Sequence, residues 1–273
     1  MMKHIFLKLV LALGICIPAA LFNSCSTVPL TGRQQLNLIP GSEMLSMSGQ
    51  QYNDFLKANK VIPANDRQSV AVKAVGKRIQ SAVEQYAAQN GVSLSGYNWE
   101  FNLVDSKEKN AWCMPGGKVV VYSGILPLTA NDVGLAVVLG HEIAHAVAGH
   151  GAERMSQGLL AQLGSTALSQ ALSEKPAETQ QIWMTAFGVG VQYGALLPFS
   201  RVQESEADHL GLIFMAMAGY DPNEALNFWQ RMAQSNQGQA PPEFMSTHPS
   251  DESRIAKIRE ELPEALRYYK KGK

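Results

Sequence analysis

The sequence predicts a mainly helical α+β domain with a small antiparallel sheet. Three observations carry this. Val72, Val75, Ile79, Val83 and Tyr86 recur at helical spacing. Two β-rich runs, residues 99–104 and 118–122, flank a stretch that ends in the turn signal Pro115-Gly116-Gly117. Leu135, Val138, Leu139 and Ile143 then give a further helix its apolar face.

The chain has 273 residues, 17% of them charged, enough for one sizeable domain over residues 41–273. Its start reads differently. Lys3 and Lys8 flank or interrupt an apolar run over residues 5–22, and no acid precedes Glu43. That is a secretory signal pattern over residues 1–24. Ser24-Cys25 resembles a lipobox, after which Cys25 becomes a lipid-bearing first residue and residues 25–40 a lipid-anchored tether broken by Pro29, Gly32 and Pro40. Only Cys113 then remains, so no intramolecular disulfide is expected. The chain carries 23 basic and 23 acidic residues, a balance that offers nothing to nucleic acid.

Residues 41–60, with Met44, Met47, Tyr52, Phe55 and Leu56, predict a first helix, and residues 63–90 a second that stops at Asn90-Gly91. The two β-rich runs are expected to pair antiparallel. Thr129-Ala130-Asn131-Asp132 reads as a capping box opening the next helix. Residues 155–173 and 177–197 predict two helices around Glu174-Lys175-Pro176. No charge occurs from Thr179 to Ser200, but glutamines, Gly188, Gly190, Gly194 and Pro198 predict a buried or lid helix rather than a membrane span. A helix over 202–218 closes at Gly219, and Asp221-Pro222-Asn223-Glu224 opens the next. After a loop over 235–242, His248-Pro249 leads into a charged last helix containing Arg254.

The chemistry is concentrated in His141-Glu142-x-x-His145. Two histidines four apart on a helix point the same way and can hold one zinc ion. Glu142, beside the first, can take a proton from the water such an ion activates. A catalytic site needs a third ligand. The metzincin position falls on Gly151, and His150 lies about 140° from His145 on a continuous helix, so it reads as a helix-end residue. Glu204 and Asp208, four apart, share a helix face; Glu206 lies about 200° round from Glu204. One of the two can bind zinc while the other fixes the outer N–H of a ligand histidine. Spacing does not choose between them.

H-E-x-x-H followed about sixty residues later by Ser200-Arg201-x-x-Glu204-x-Glu206-Ala207-Asp208 resembles the gluzincin endopeptidases that include the CAAX prenyl protease, the mitochondrial Oma-type protease and bacterial periplasmic relatives. The likeness extends to Asn110-Ala111…Pro115-Gly116-Gly117 and to Ser246-Thr247-His248-Pro249…Arg254, over roughly residues 60–260. It implies a zincin-type metalloprotease domain with one zinc ion on His141, His145 and Glu204, supported by Asp208. Glu142 is then the general base. The substrates implied are unfolded or extended polypeptides, among them misfolded or misassembled cell-envelope proteins. The signal-plus-cysteine start resembles the lipoprotein branch, and with Ser26 after Cys25 it implies a protein anchored by lipid to a bacterial outer membrane, facing the periplasm.

Enzymes of this type bind extended peptide as an added strand, which marks Asn110, Ala111, Trp112, Cys113 and Met114 as an edge strand for substrate. His248, held by Pro249, is expected to donate to the oxyanion or to sit on the open metal position as a latch; Arg254, on the following turns, is expected as an oxyanion or supporting residue. The rival reading is a chaperone-like peptide-binding module with structural zinc, and Glu142 argues against that because a structural site needs no carboxylate beside its first ligand. An exopeptidase would need a trap for a chain terminus, which sequence does not reveal.

Overall fold

A computed structural model describes residues 25–235, 243–248 and 252–270. The proposed signal segment and Pro249 lie outside these residues.

The described chain opens on a hairpin, β1 (Cys25–Thr27) paired antiparallel with β2 (Gln34–Leu36). A tether was expected here. Instead Val28 is fully buried in the main core and Arg33 is ion-paired to two buried acids. Helix α1 (Gly41–Ala58) and helix α2 (Arg67–Gln89) follow. The Asp66 side chain accepts from the backbone N–H of Gln68 and Ser69 and so caps α2, whose predicted stripe is the face it buries.

Three strands come next: β3 (Glu100–Val104), β4 (Ala111–Met114) and β5 (Lys118–Tyr122). Their spatial order is β3-β5-β4. The expected antiparallel pairing of the two β-rich runs does not occur: β3 and β5 run parallel, and β4 supplies the antiparallel partner. The reason lies in the turn. Gly116 and Gly117 take φ of 88° and 80°, which favours glycine, and fold β4 back onto β5. The β5 valines, Val119, Val120 and Val121, are all buried, as suits a central strand. That leaves β4 at one edge.

After a 3₁₀ turn (Ser123–Ile125) and the short α3 (Leu126–Thr129) comes α4 (Asp132–Val147), which carries both motif histidines. Its cap is Asn131, whose side chain accepts from Val133 and Gly134 N–H; Thr129 instead donates to the Leu126 carbonyl. Gly149, left-handed at φ 75°, separates α4 from α5 (His150–Ala171). Then α6 (Ala177–Val191) passes through a π turn (Gln192–Leu196) directly into α7 (Leu197–Met217). The chain ends in α8 (Glu224–Gln234), α9 (Glu243–Thr247) and α10 (Glu252–Tyr268).

Of the two forms expected for residues 177–197, buried or lid, the buried one does not occur. No residue of α6 is buried, and Ile182, Trp183 and Tyr193 are more than half exposed. Apart from the π turn that continues it, the helix packs chiefly on α5. Among the described residues, Ala177–Met217 is long and apolar enough to cross a bilayer.

Helices α4 and α7 make the most extensive contact in the fold. They cross at two glycines. A Cβ on Gly140 would lie 2.8 Å from the Gly211 carbonyl oxygen, and one on Gly211 would lie 2.9 Å from the His141 backbone nitrogen. Only bare backbone permits this approach, and it brings the His141 turn against the turn bearing Glu204 and Asp208. Gly211→Ala is therefore expected to cost about 1–3 kcal/mol through overpacking. For a chain of this size that is roughly 2–12 °C of Tm by calorimetry. An unchanged Tm would show that the crossing has slack.

Candidate metal centre

The first two donors follow from helical geometry. His141 Nε2 and His145 Nε2 are 3.1 Å apart, one turn of α4 separating their residues. From α7, Glu204 places one carboxylate oxygen 3.3 Å from His141 Nε2 and the other 3.3 Å from His145 Nε2. His248, at the end of α9, brings Nδ1 to 3.1 Å from His141 Nε2 and 2.8 Å from Glu204 Oε2. All four residues are buried, and their donor atoms lie within 4.8 Å of one another.

These spacings fit a metal ion. Nitrogen or oxygen ligands about 2.0–2.1 Å from one tetrahedral centre are about 3.3 Å from each other. The electrostatics agree. Burial works against a charge on His141, yet Asp208 and Glu204 hold its pKa up at about 9. Burial likewise opposes ionisation of Glu204, but hydrogen bonds from three histidines drive it far below the usual carboxylate range. The pocket is built to hold positive charge. His145, dominated by burial, is pushed well down and stays neutral, as a metal ligand must be.

Asp208 accepts from His141 Nδ1 at 2.9 Å, which turns Nε2 toward the centre. Arg254 grips Asp208 with two bonds of 2.7 Å and lies 3.5 Å over the Trp229 ring. Its placement behind Asp208 puts it in support of His141. Burial pushes the Glu142 carboxyl up. Its buried Oε1 has no hydrogen-bond partner among the described residues, with His248 Nε2 at 3.4 Å. A carboxylate oxygen left open beside a cluster of metal donors is placed to receive a proton.

Strand β4 runs alongside α4. Asn110 folds its side chain back onto the Ala111 N–H. Ala111 and Cys113 face the main core, and burial pushes the Cys113 thiol up. Trp112 and Met114 face the smaller cluster around Tyr52, with Trp112 edge-on to Phe55. The backbone N–H of Phe244 bonds to the Lys109 carbonyl, tying the helix that carries His248 to the start of this edge strand.

His150, read from the sequence as a helix-end residue, joins the site. His150 Nδ1 is 2.7 Å from His145 Nδ1, and its Nε2 is 2.9 Å from Glu206. The expected helix-end role assumed a continuous helix, and Gly149 breaks it. A glycine between the motif and His150 was the available signal.

Residues 73–262 match the family described as peptidase family M48. The chain belongs to peptidase family M48. It is a metalloprotease, a hydrolase. The mitochondrial metalloendopeptidase OMA1 of Schizosaccharomyces pombe is 35% identical over 248 residues, covering 89% of this chain and 68% of that protein. Human mitochondrial metalloendopeptidase OMA1 is 32% identical over 261 residues, covering 93% of this chain and 49% of its own. The beta-barrel assembly-enhancing protease of Escherichia coli is 30% identical over 169 residues, 59% of this chain and 34% of its own. These matches overturn the expected place on a bacterial outer membrane facing the periplasm. The relatives matched over about nine-tenths of the chain are named as mitochondrial, whereas the bacterial one matches over little more than half.

Proposed function

We propose that this M48 metalloprotease is a zinc endopeptidase acting on unfolded or extended polypeptide, with His141, His145 and Glu204 as zinc ligands. The observation that carries it is the set of donors 3.1–3.3 Å apart on two crossing helices, with the open oxygen of Glu142 beside them. Bound zinc supplies an activated water, with a pKa near about 7, and a Lewis acid for the peptide carbonyl. Glu142 accepts the proton of that water and returns it to the leaving amine. Asp208 and Arg254 hold His141 in the tautomer that ligation needs. The outer edge of β4 receives the substrate as a further strand, so affinity comes from backbone bonds and sequence preference is loose.

His248 completes this reading. Its Nδ1 stands with the three ligand groups as a fourth donor, the position that substrate and water require. In this arrangement His248 is a latch and the enzyme is latent. Similarity to a protease named for beta-barrel assembly supports misfolded or misassembled cell-envelope proteins as substrates. The context of Cys25 supports a lipid there, and intact-mass analysis showing it unmodified would remove that proposal.

Casein digestion by the purified chain tests the function. Cleavage should stop with a chelator and return with zinc. Binding without cleavage under both conditions would favour the peptide-holding module. His145→Ala and Glu204→Ala should each lose zinc, and full zinc in the second would displace Glu204 as a ligand.

Two expectations follow for neighbouring residues. Asp208→Ala should weaken zinc about 10–100-fold, read by competition with a chromophoric chelator. An unchanged affinity would reduce Asp208 to a partner for Arg254. Proline substitution through Ala111, Trp112, Cys113 and Met114 should raise KM sharply wherever an outward N–H is lost, and a flat profile would remove the edge strand from substrate binding.

A further inference from the structure

We propose that Arg33 is a positioning residue for the metal centre, acting on His145 through Glu206 and His150. The inference rests on the reading of His145 as a metal ligand. The arginine comes from the β1–β2 hairpin, far outside the 73–262 segment that matches the family. Its Nε donates to Glu206 Oε2 at 2.6 Å. Its two terminal nitrogens bond both oxygens of Glu153 at 2.9 and 2.8 Å. Gln203 donates to Glu153 as well, at 2.8 Å, and Thr31 donates to Glu206 Oε1. Glu153 and Glu206 are both buried, so the guanidinium is clamped between two acids and cannot move without leaving one of them uncompensated.

From this anchor each hydrogen-bond role is forced in turn. An ionised Glu206 accepts and does not donate, so His150 Nε2, 2.9 Å away, carries the proton. In the neutral ring His150 Nδ1 then holds a lone pair. His145 Nδ1 lies 2.7 Å from it and is therefore the donor. With its proton on Nδ1, His145 turns the lone pair of Nε2 to the point shared with His141 and Glu204. His141 is fixed in the same way by Asp208 and Arg254. Each ligand histidine thus has a carboxylate and an arginine behind it. His145 has an extra imidazole in between, and its arginine is supplied from the N-terminal hairpin.

The test uses the full chain loaded with zinc and labelled with ¹⁵N at histidine. In the unaltered protein, long-range ¹⁵N–¹H spectra should show His150 protonated at Nε2 and a slowly exchanging Nδ1 proton on His145. Arg33→Met combined with Glu153→Gln removes the arginine without leaving Glu153 as an unpaired charge. It should mix the two His150 tautomers and weaken zinc by about 10-fold in chelator competition, the low end of such effects. Arg33→Lys keeps the charge but loses the two-acid fork, and should give a smaller loss in a chain whose acids stay paired. His150→Ala should weaken zinc about 10–100-fold, and His150→Asn, which returns an acceptor oxygen near the position of Nδ1, should recover most of it. His150 protonated at Nδ1, or unchanged zinc affinity and ring signals in both Arg33 variants, overturns the proposal. Zinc retained in His145→Ala would overturn the metal-centre reading itself, a result separable from failure at Arg33 alone.

Discussion

Glu142→Gln is expected to abolish peptide cleavage and leave the bound zinc in place. The change is isosteric and removes only the capacity to take a proton. Glu142 is buried, and its Oε1 makes no hydrogen bond among the described residues, so an amide in its place breaks no contact there. It lies on the buried face of α4 next to His141 but is not among the four donors that converge on the metal point. Loss of a general base costs about 10²–10⁴ in kcat, and the lower the residual rate the more completely Glu142 serves both proton transfers. The measurement is kcat on a quenched peptide alongside zinc content by mass spectrometry. Near-normal turnover with full zinc would assign the proton transfer to another residue, with His248 the nearest candidate.

His248→Ala is expected to raise basal activity. His248 Nδ1 is held by Glu204 and stands against His141 Nε2, and its Nε2 lies 3.4 Å from Glu142. One ring thus faces both the metal point and the proposed base. On the latch reading, substrate reaches neither while the ring stays there. If the latched form makes up about 90–99% of the population, its removal raises kcat/KM about 10–100-fold. Zinc should be retained, because three ligands remain. A fall in kcat of about 10²–10³ with zinc retained would instead make His248 an oxyanion donor. On the same reading, the bond of Phe244 to Lys109 would give the latch a route of release, since a peptide laid on β4 would meet that segment.

Much of this centre was legible because it is periodic. His141 and His145, like Glu204 and Asp208, are four apart on helices, and that spacing brings each pair to one face whatever surrounds it. Which acid faced the metal was not legible from spacing; the family likeness supplied Glu204, and the structure places it beside both histidines. The predicted stripe of α2 matched its buried face for the same reason. What failed depended on partners distant in the chain. Strand order put β5 between β3 and β4, and nothing in residues 99–104 says which neighbour they take. The uncharged stretch around α6 looked buried by composition, but composition does not say whether a face is covered. His150 was misplaced by extrapolating one helix through Gly149, and Arg33 lay in a segment read as a tether.

The glycine crossing of α4 and α7 bears finally on which ions the protein accepts. The separation of Glu204 from the two histidines is set by backbone meeting backbone at Gly140 and Gly211, not by soft side chains. Donors held 3.1–3.3 Å apart enclose a small sphere. Calcium, with bonds of about 2.3–2.6 Å and a demand for six to eight oxygens, would need the helices to part by several tenths of an ångström. With these residues as ligands, the crossing would act as a size filter, excluding large cations by the stiffness of two helices before the preference of imidazole for zinc comes into play.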